Sequence, residues 1–325
     1  MLLREIFKAD IPKIIVGVDN GYYGTKISTK DETIYLRSKY EKSNDVLNKE
    51  NTYLLHYNNV DYIVGSGAEL SSIDYDKTAD EMYKIITYAG LSILSDFVGT
   101  DFYLVGSYPL SIYNQNKDHF ASYLKGTGVF ETKLNSESKK FNIVKAITFP
   151  QGVAHSYNHL DLFQNQMRGI LDFGGLTINC CVLSDFNIVP GTGFTENLGS
   201  IILENEIKKK LDTKYNLNIK DYELPSIIKN GVKVNGVLMT TSCDIIKSTI
   251  NEHMNKIKKA MRSNNWNVES LDLFATGGSS LDYSSQLKST FPQIAISDDC
   301  VNDGAKGLLA VGNLIYGDDV NGKQY

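Results

Sequence analysis

Two short segments of the chain each place an aspartate beside a glycine-rich turn. The first, VGVDNGYYGTKIS at residues 16–28, ends an apolar run at Asp19 and adds a cation to the same turn at Lys26. The second, ILDFGGLTINCCV at residues 170–182, has Asp172 at the matching place. Turn N–H groups, a lysine and a carboxylate that can hold the water shell of a metal are the groups that bind a polyphosphate with magnesium. The residue types therefore indicate phosphate binding.

A plain β-hairpin would explain either segment taken alone. Asn-Gly between two hydrophobic runs is a strong hairpin signal, and aspartate often caps a turn. The repeat favours a function, because the order of apolar strand, Asp, glycine turn, Thr and apolar strand returns after 153 residues (172 minus 19). If the two hairpins face one cleft, they can hold phosphate from two sides.

The elements that must position these hairpins follow a similar order in both halves of the chain. In the first half we expect strands and helices at residues 13–18, 24–29, 33–36, 79–98 (helix), 101–110, 114–125 (helix) and 141–148. In the second half we expect them at residues 168–173, 177–183, 198–212 (helix), 243–262 (helix), 271–276 and 303–316 (helix), with a frayed tail from 317. Hairpins followed by helices, twice over, predict an α/β fold with mixed sheets in two related domains.

Composition and charge argue against several classes of protein. The 325 residues suffice for two domains with separate cores, and a net charge of -5 without a basic stripe argues against non-specific nucleic-acid binding. The start, MLLREIFKADIP, lacks the apolar core of a signal peptide, and no stretch approaches the roughly 18 apolar residues of a membrane span. Four cysteines without a C-x-x-C spacing are typical of small core residues in a reducing compartment. We therefore predict a cytoplasmic protein without membrane contact.

The two hairpins and three further segments resemble the actin and sugar-kinase superfamily. DNGYYGTK resembles its first phosphate loop, DFGGLT its second and FATGGSS its adenosine loop, while PQG at 150–152 and DGAKGLLAVGNLI at 303–315 resemble its two connecting segments. All five occur in the family's order and cover the chain from about residue 13 to 315. Each motif alone is a weak signal, whereas the occurrence of all five in this order is specific for the superfamily.

This resemblance implies two ribonuclease-H-like domains around a central nucleotide cleft. The expected first domain comprises residues 1–165 and 310–325, with an insert at about 31–80. The expected second domain comprises residues 166–309, with an insert at about 205–262. Within the superfamily, the short length, the compact insert and Gln151 are similar to the bacterial and archaeal actin-like proteins, in particular the ParM-type plasmid-partitioning ATPases.

The resemblance also implies residue roles around ATP or ADP and Mg²⁺. Asp19 and Asp172 would hold magnesium through water, and Gln151 would orient the attacking water. The expected nucleotide contacts are Asn20, Gly21, Tyr22, Tyr23, Gly24, Lys26, Gly174, Gly175, Leu176, Thr177, Gly193, Gly277, Gly278 and Ser279. Gln151 has a loop amide after proline as its alternative reading, and PGTG around Gly193, with Thr192 and Glu196 nearby, is equally a plain loop.

The implied function is an actin-like ATPase that polymerises with ATP, hydrolyses it in the filament and moves plasmid DNA. Its expected partners are further copies of itself and a DNA-bound adaptor protein, without direct contact to nucleic acid. A small-molecule kinase of the same fold is the alternative, and it would need a carboxylate base. Asp96, Asp101 and Asp118 are the candidates for that base, and none stands in a typical position.

Two further patterns remain open at this point. His155 and His159 are four residues apart in an expected helix, which suits either a metal pair or a surface or core role. A cluster of tyrosines marks either a surface for self-association or a coding bias; its members are Tyr53, Tyr57, Tyr62, Tyr75, Tyr83 and Tyr88.

Overall fold

The computed structural model of the protein describes residues 11–45, 50–72 and 76–321. The chain forms two compact units, Met1–Gln164 with Val301–Tyr325 and Asn165–Cys300. The N-terminal leader as far as residue 10, Tyr75 and the last four residues lie outside the described residues. No helix within the described ranges is long and apolar enough to cross a membrane.

Strands and helices alternate along the whole described chain. The strands are β1 (Lys13–Asn20), β2 (Gly24–Ser28), β3 (Thr33–Arg37), β4 (Tyr40–Lys42), β5 (Thr52–Tyr57), β6 (Val60–Gly65), β7 (Thr100–Tyr108), β8 (Val129–Leu134), β9 (Glu137–Pro150), β10 (Met167–Phe173), β11 (Ile178–Ser184), β12 (Asn187–Ile188), β13 (Phe194–Glu196), β14 (Lys233–Val234), β15 (Val237–Leu238), β16 (Leu273–Thr276) and β17 (Ile294–Ile296). The helices are α1 (Met82–Ile93), α2 (Tyr113–Lys125), α3 (Val153–Ser156), α4 (Leu160–Phe163), α5 (Ser200–Tyr215), α6 (Leu224–Asn230), α7 (Thr240–Ser263), α8 (Ser279–Asp282), α9 (Ser284–Thr290) and α10 (Asp303–Asn321), with a 3-10 turn at Leu110–Ile112.

The first unit is built on a nine-stranded sheet in the order β3-β2-β1-β7-β9-β8-β5-β6-β4. Strand β1 pairs antiparallel with β2 on one side and parallel with β7 on the other. Successive residues of β1 point to opposite faces, so that Val16 and Val18 join the core under α1, whereas Ile15 joins a second core under α10. Both faces of this central strand are therefore buried, which fixes its register.

Helix α10 packs so closely against β1 and α3 of the first unit that two glycine positions have no room for a side chain. A Cβ on Gly17 of β1 would lie 2.2 Å from the carbonyl oxygen of Ala305, and one on Gly307 would lie 1.8 Å from that of Ala154. These contacts are with backbone atoms, which cannot move aside as the end of a flexible side chain can. Each glycine thus permits α10 to lie directly on β1 and α3.

We expect Gly307→Ala to lower the free energy of unfolding by about 3 kcal/mol, at the upper end of overpacking costs. The matched control is Gly317→Ala on the same helix, where a Cβ meets no atom within 4 Å. That control should gain about 0.5 to 1 kcal/mol from the better helix propensity of alanine. Urea unfolding of both variants measures the difference. Equal stabilities would contradict the close approach of α10.

The second unit has a smaller sheet in the order β12-β11-β10-β16-β17, with β13 paired to β11. Strand β10 pairs antiparallel with β11 and parallel with β16. Its core is formed by both strands of the hairpin together with α5 and α7, and includes Leu171, Ile178 and Ile250. The central strand, its hairpin partner and its parallel neighbour therefore repeat the arrangement of β1, β2 and β7.

The prediction of an α/β fold with mixed sheets is confirmed, and several boundaries differ from the expected ones. Helix α10 continues to Asn321, so the tail is helical up to that residue. The chain returns to the first unit at Val301 rather than at residue 310, because α10 is one uninterrupted helix. The expected insert at about 205–262 also contains α6 and the β14–β15 hairpin between α5 and α7.

The tyrosine cluster does not form an exposed surface within the described residues. Tyr62, Tyr83 and Tyr88 are buried in the core of the first unit, and Tyr53 and Tyr57 pack against that core. Tyr88 lies 4.5 Å from Phe130 between ring centroids. These tyrosines act as core residues of the sheet and α1.

Candidate functional site

The first hairpin places a carboxylate and an ammonium group opposite each other. Asp19 and Lys26 are cross-strand partners of β1 and β2, and Lys26 Nζ lies 3.4 Å from Asp19 Oδ2. Ser107 Oγ, from the end of β7, donates to Asp19 Oδ1 at 2.9 Å and accepts from the N–H of Asn20 at 3.2 Å. The Asn20 side chain is buried and donates to Thr87 Oγ1 at 3.1 Å. The hairpin end is thus held by β7 and α1.

The charges around Asp19 favour its ionised form. Burial opposes ionisation, but the nearby charges of Lys26, His155 and Lys77, together with the hydrogen bond from Ser107, hold the pKa of Asp19 below its usual value. The ionised carboxylate therefore adds to the free energy of unfolding at pH values above the pKa that Asp19 has in the unfolded chain. This contribution is lost as the pH falls through the lower pKa that Asp19 has in the folded protein. Asp19 is a carboxylate throughout the neutral range.

We expect Ser107→Ala to destabilise the protein by about 1 to 2 kcal/mol at pH 7, because Asp19 loses a donor and the buried N–H of Asn20 loses its acceptor. The pKa of Asp19 should rise toward its unfolded value, so the variant should lose less of its remaining stability than the wild type as the pH falls below the unfolded pKa of an aspartate. Urea unfolding at several pH values between 2 and 7 measures both effects. An unchanged pH dependence would contradict the role of Ser107.

Lys77 joins this hairpin to the candidate glutamine, and the sequence alone did not indicate it. Its side chain is 1% exposed, and its Nζ donates to the carbonyl oxygen of Asn20 at 2.5 Å and to Gln151 Oε1 at 3.4 Å. Gln151 is 8% exposed, and its N–H donates to the carbonyl oxygen of Tyr108. Asp19, Lys26 and Gln151 are therefore connected within the first unit through Lys77, Asn20 and Ser107.

The two tyrosines of the first turn have different surroundings. Tyr22 packs edge-on against Tyr83, with ring centroids 6.3 Å apart. Tyr23 is 54% exposed and lies under the guanidinium of Arg37, 3.4 Å from its carbon. The backbone N–H of Tyr23 has no acceptor among the described residues, whereas that of Gly21 donates to the carbonyl oxygen of Asp19. The N–H of Tyr23 can therefore donate to a ligand of the turn, whereas the N–H of Gly21 already has an acceptor.

The second hairpin repeats the buried carboxylate without the lysine. Asp172 is 4% exposed, and its cross-strand partner Asn179 donates to Asp172 Oδ2 at 3.4 Å. Gly277 follows β16 with φ +83°, and a Cβ there would lie 2.6 Å from Asp172 Oδ1. Glycine is thus required at 277 for two reasons, its backbone conformation and this close approach. Gly278 has ordinary right-handed angles and directly precedes α8.

The glycine turn of the second hairpin is held by its carbonyl groups. The oxygen of Gly174 accepts from the Ser200 N–H at 3.1 Å and from Ser279 Oγ at 3.2 Å, and the oxygen of Gly175 accepts from the first turn of α5. The N–H groups of Gly175 and Leu176, by contrast, have no acceptor in the part of the chain that the structure describes. The turn is therefore rigid and retains two backbone donors, as an anion site requires.

The loop around Gly193 has mainly structural contacts. Thr192 is buried, its hydroxyl donates to the carbonyl oxygen of Val189, and its own carbonyl accepts from the indole of Trp266. Strand β13 pairs with β11, with Glu196 opposite Ile178 beside the glycine turn and Phe194 opposite Cys180. Glu196 is therefore the residue of this segment nearest the glycine turn, and Gly193 precedes β13 at its other end.

The two histidines do not form a metal pair. His155 lies in α3, whereas His159 precedes α4, so the four-residue spacing does not correspond to one helix. His159 Nε2 lies 2.8 Å from Oδ1 of the buried Asp303, while a Cβ on Gly304 would lie 3.1 Å from both His155 Nε2 and Asp19 Oδ2. No group of three or more potential metal-ligating side chains occurs among the described residues.

The donor set of each hairpin fits a phosphate with a hydrated magnesium ion. Mg²⁺ keeps several waters and is usually bound by one or two carboxylates together with substrate phosphates. Asp19 and Asp172 each place a carboxylate at the end of a central strand beside a glycine turn, where it could hold the waters of such an ion. Two pockets of about 340 and 300 Å³ in the second unit are lined by other residues, including Cys243 and Lys258.

The comparisons with known proteins agree with this architecture. Residues 17–153 match a family model described as the N-terminal domain of actin-like proteins. No curated protein matches the chain. An archaeal actin homolog has a TM-score of 0.78 and 18% identity, covering 93% of this chain and 99% of its own.

Two further solved structures are similar to the chain over nearly its whole length. An archaeal actin homolog in complex with ADP has a TM-score of 0.73 and 19% identity, covering 91% of this chain and 97% of its own. A 15-stranded ParM filament from Clostridium botulinum has a TM-score of 0.71 and 18% identity, covering 94% of this chain and 100% of its own. At these identities the likeness concerns the fold. The chain therefore has the fold of the actin-like proteins, and its residues 17–153 match the model of their N-terminal domain.

Proposed function

We propose that the protein binds ATP with Mg²⁺ through its two hairpins, polymerises, and hydrolyses the nucleotide in the filament. The observation that carries this proposal is the repeated site. Each unit has a buried aspartate at the end of its central strand, beside a rigid glycine turn. The ADP complex of an archaeal actin homolog supports a nucleotide as the ligand of this fold.

Each hairpin supplies phosphate-binding groups of its own. The first offers the Lys26 ammonium and the N–H of Tyr23, and the second offers the N–H groups of Gly175 and Leu176. Asp19 and Asp172 would hold magnesium through its waters, and the ion would neutralise charge that develops on the phosphates. Gly277, Gly278 and Ser279 are proposed to border the adenosine, because glycine lets the backbone approach a ligand closely.

Gln151 is proposed to orient the water that attacks the γ-phosphate. An amide does not titrate in the neutral range, so it would hold and polarise the water without removing its proton, as glutamine does in small GTPases. The side chain is nearly buried at the start of the segment that follows β9, within the group of residues around Asp19. The rest of the chemistry would be positioning and electrostatic stabilisation.

Filament formation is proposed from the likeness to filament structures, one of a ParM protein and one of Alp12. A head-to-tail contact whose rotation does not close produces an open helix, so one surface pair on each copy suffices. We further propose that the filament segregates plasmid DNA through a DNA-binding adaptor protein. The net charge of -5 fits an adaptor better than direct DNA contact.

Sedimentation and electron microscopy with ATP, ADP and a slowly hydrolysed ATP analogue test this function. We expect filaments with ATP and with the analogue, phosphate release with ATP alone, and shorter-lived filaments when ATP is consumed. A parallel assay with GTP defines the nucleotide preference. The absence of filaments under every condition, with phosphate transferred to a small-molecule acceptor, would contradict the proposal in favour of a kinase.

Two of the three residues considered as a kinase base already have structural partners. Asp96 accepts the N–H groups of Val98 and Gly99 in a turn, and Asp101 accepts from the Asn142 side chain. Asp118 is exposed on α2. None of these contacts favours the kinase over the ATPase.

A further inference from the structure

Lys77 is a fully buried cation in the segment that leads into α1. It is 1% exposed, and it is the one lysine among the buried residues that the structure describes. Burying an ammonium group costs several kcal/mol unless oxygen acceptors and charges replace its hydration. The groups around the Lys77 ammonium must therefore compensate for its lost hydration.

The partners of Lys77 belong to the candidate site. Its Nζ donates to the carbonyl oxygen of Asn20 at 2.5 Å, directly after Asp19, and to Gln151 Oε1 at 3.4 Å. The rings of Tyr22 and Tyr83 lie 5.6 and 5.4 Å from the ammonium, within cation–π range. One cation thus connects the first phosphate turn with the proposed catalytic glutamine.

This contact determines the orientation of the Gln151 amide. Lysine only donates hydrogen bonds, so the amide must turn its oxygen toward Nζ and its NH₂ group away. An oxygen has two lone pairs, and a single donor leaves one of them for a water molecule. Without the ammonium, the amide can rotate by half a turn and present the wrong group to that water.

Tyr108 contacts Gln151 directly and the segment of Lys77 through the side chain of Asp76. Its carbonyl oxygen accepts the Gln151 N–H at 2.8 Å, and its hydroxyl donates to Asp76 Oδ1 at 3.1 Å. Asp76 precedes Lys77 and also accepts from the N–H and hydroxyl of Thr78, at 2.9 and 2.7 Å. One residue at the end of β7 therefore supports both the Gln151 backbone and the segment that carries Lys77.

We propose that Lys77 is a positioning residue that orients the Gln151 amide for ATP hydrolysis. This inference rests on the proposed function, since Gln151 has its role only in that reaction. Lys77 acts through Gln151 and through the Asn20 carbonyl. The nucleotide phosphates are bound by Lys26 and the turn N–H groups.

The first test is a double-mutant cycle with Lys77→Met and Gln151→Ala. We expect K77M to lower kcat by about 10- to 100-fold, the range of a hydrogen bond to a charged group, with KM and ATP affinity changed less than threefold. Added to Q151A, it should lower kcat less than threefold further. Lys77→Arg, which keeps a donor, should recover part of the rate.

Two kinetic outcomes would overturn the proposal. A loss of ATP affinity of more than tenfold in K77M would make Lys77 a direct phosphate ligand. If the double mutant instead loses kcat by the product of the two single-mutant factors, Lys77 does not act through Gln151. The control is Lys139→Met, because Lys139 has 17% side-chain exposure, pairs with Glu137 and lies at the far end of β9 from Gln151. It should leave kcat unchanged.

The second test is independent of ATP hydrolysis. NMR of the side-chain amides, with the Gln151 signals assigned by their loss in Q151A, should show a displaced Gln151 NH₂ pair in K77M and not in K139M. Unchanged Gln151 signals in K77M would overturn the proposal even if the wild type hydrolyses ATP. Displaced signals in a protein without ATPase activity would instead contradict the proposed function and leave the Lys77–Gln151 contact established.

Discussion

An Asp172→Ala variant is expected to lose ATP turnover by about 100-fold or more, the size of effect seen when one preorganised electrostatic group is removed from a site. Asp172 is buried at the end of β10, between the Asn179 side chain and the backbone of Gly277. Its carboxylate would hold the magnesium waters, which no other side chain of the second hairpin can replace. Phosphate release by the purified protein measures this loss.

The matched control for this variant lies on the neighbouring strand. Asp272 precedes β16 at the opposite end of the sheet from Asp172, with 65% side-chain exposure and an ion pair to Arg168. Asp272→Ala should retain turnover within about twofold, because an exposed ion pair contributes little. A thermal unfolding curve of each variant excludes unfolding as the cause. Full turnover in Asp172→Ala would refute the magnesium role of this aspartate.

A Gln151→Ala variant is expected to slow hydrolysis by about 100-fold while ATP affinity changes less than threefold. The amide is proposed to contact the attacking water and not the nucleotide, so it acts in the transition state alone. Since filaments would then keep ATP, they should persist longer after assembly than wild-type filaments. Single-turnover phosphate release and the titration of a fluorescent ATP analogue measure the two quantities separately.

Gln164→Ala is the control for this second variant. Gln164 follows α4 and is exposed, so the substitution should change neither rate nor affinity. Equal losses of hydrolysis and binding in Gln151→Ala would mean that the glutamine holds the nucleotide or the fold, and would contradict its proposed role. The double-mutant cycle with Lys77→Met also depends on this result, because Gln151→Ala must retain a measurable rate of hydrolysis.

The parts of the fold that were predicted correctly are local in sequence. The hairpins at Asp19 and Asp172 follow from alternating apolar residues around glycine turns, and both were found with the expected strands. Helix α10 was expected from residue 303 but ends later, because polar residues from 317 onward still form the helix. Element type was thus easier to predict than element length.

The parts that sequence reasoning missed depend on contacts between distant residues. Lys77 stands in the polar run DKTAD, and nothing in that run distinguishes a buried lysine from a solvated one. Ser107 likewise ends an apolar strand without a motif, although it donates to Asp19. The choice left open for His155 and His159 likewise depended on the structure, since a break between α3 and α4 means that their four-residue spacing is not that of one helix.

By itself the sequence determined the two acid-and-glycine hairpins and the α/β alternation around them, because turn chemistry and hydrophobic periodicity act over a few residues. The tertiary structure alone decided which groups surround the first carboxylate. Lys77 and Gln151 are 74 residues apart in the chain, and Ser107 and Asp19 are 88 apart. Asp19, Ser107 and Gln151 meet because β1, β7 and β9 lie side by side in one sheet, and Lys77 reaches them from the segment before α1. The packing of these elements depends on the whole core and not on any short motif.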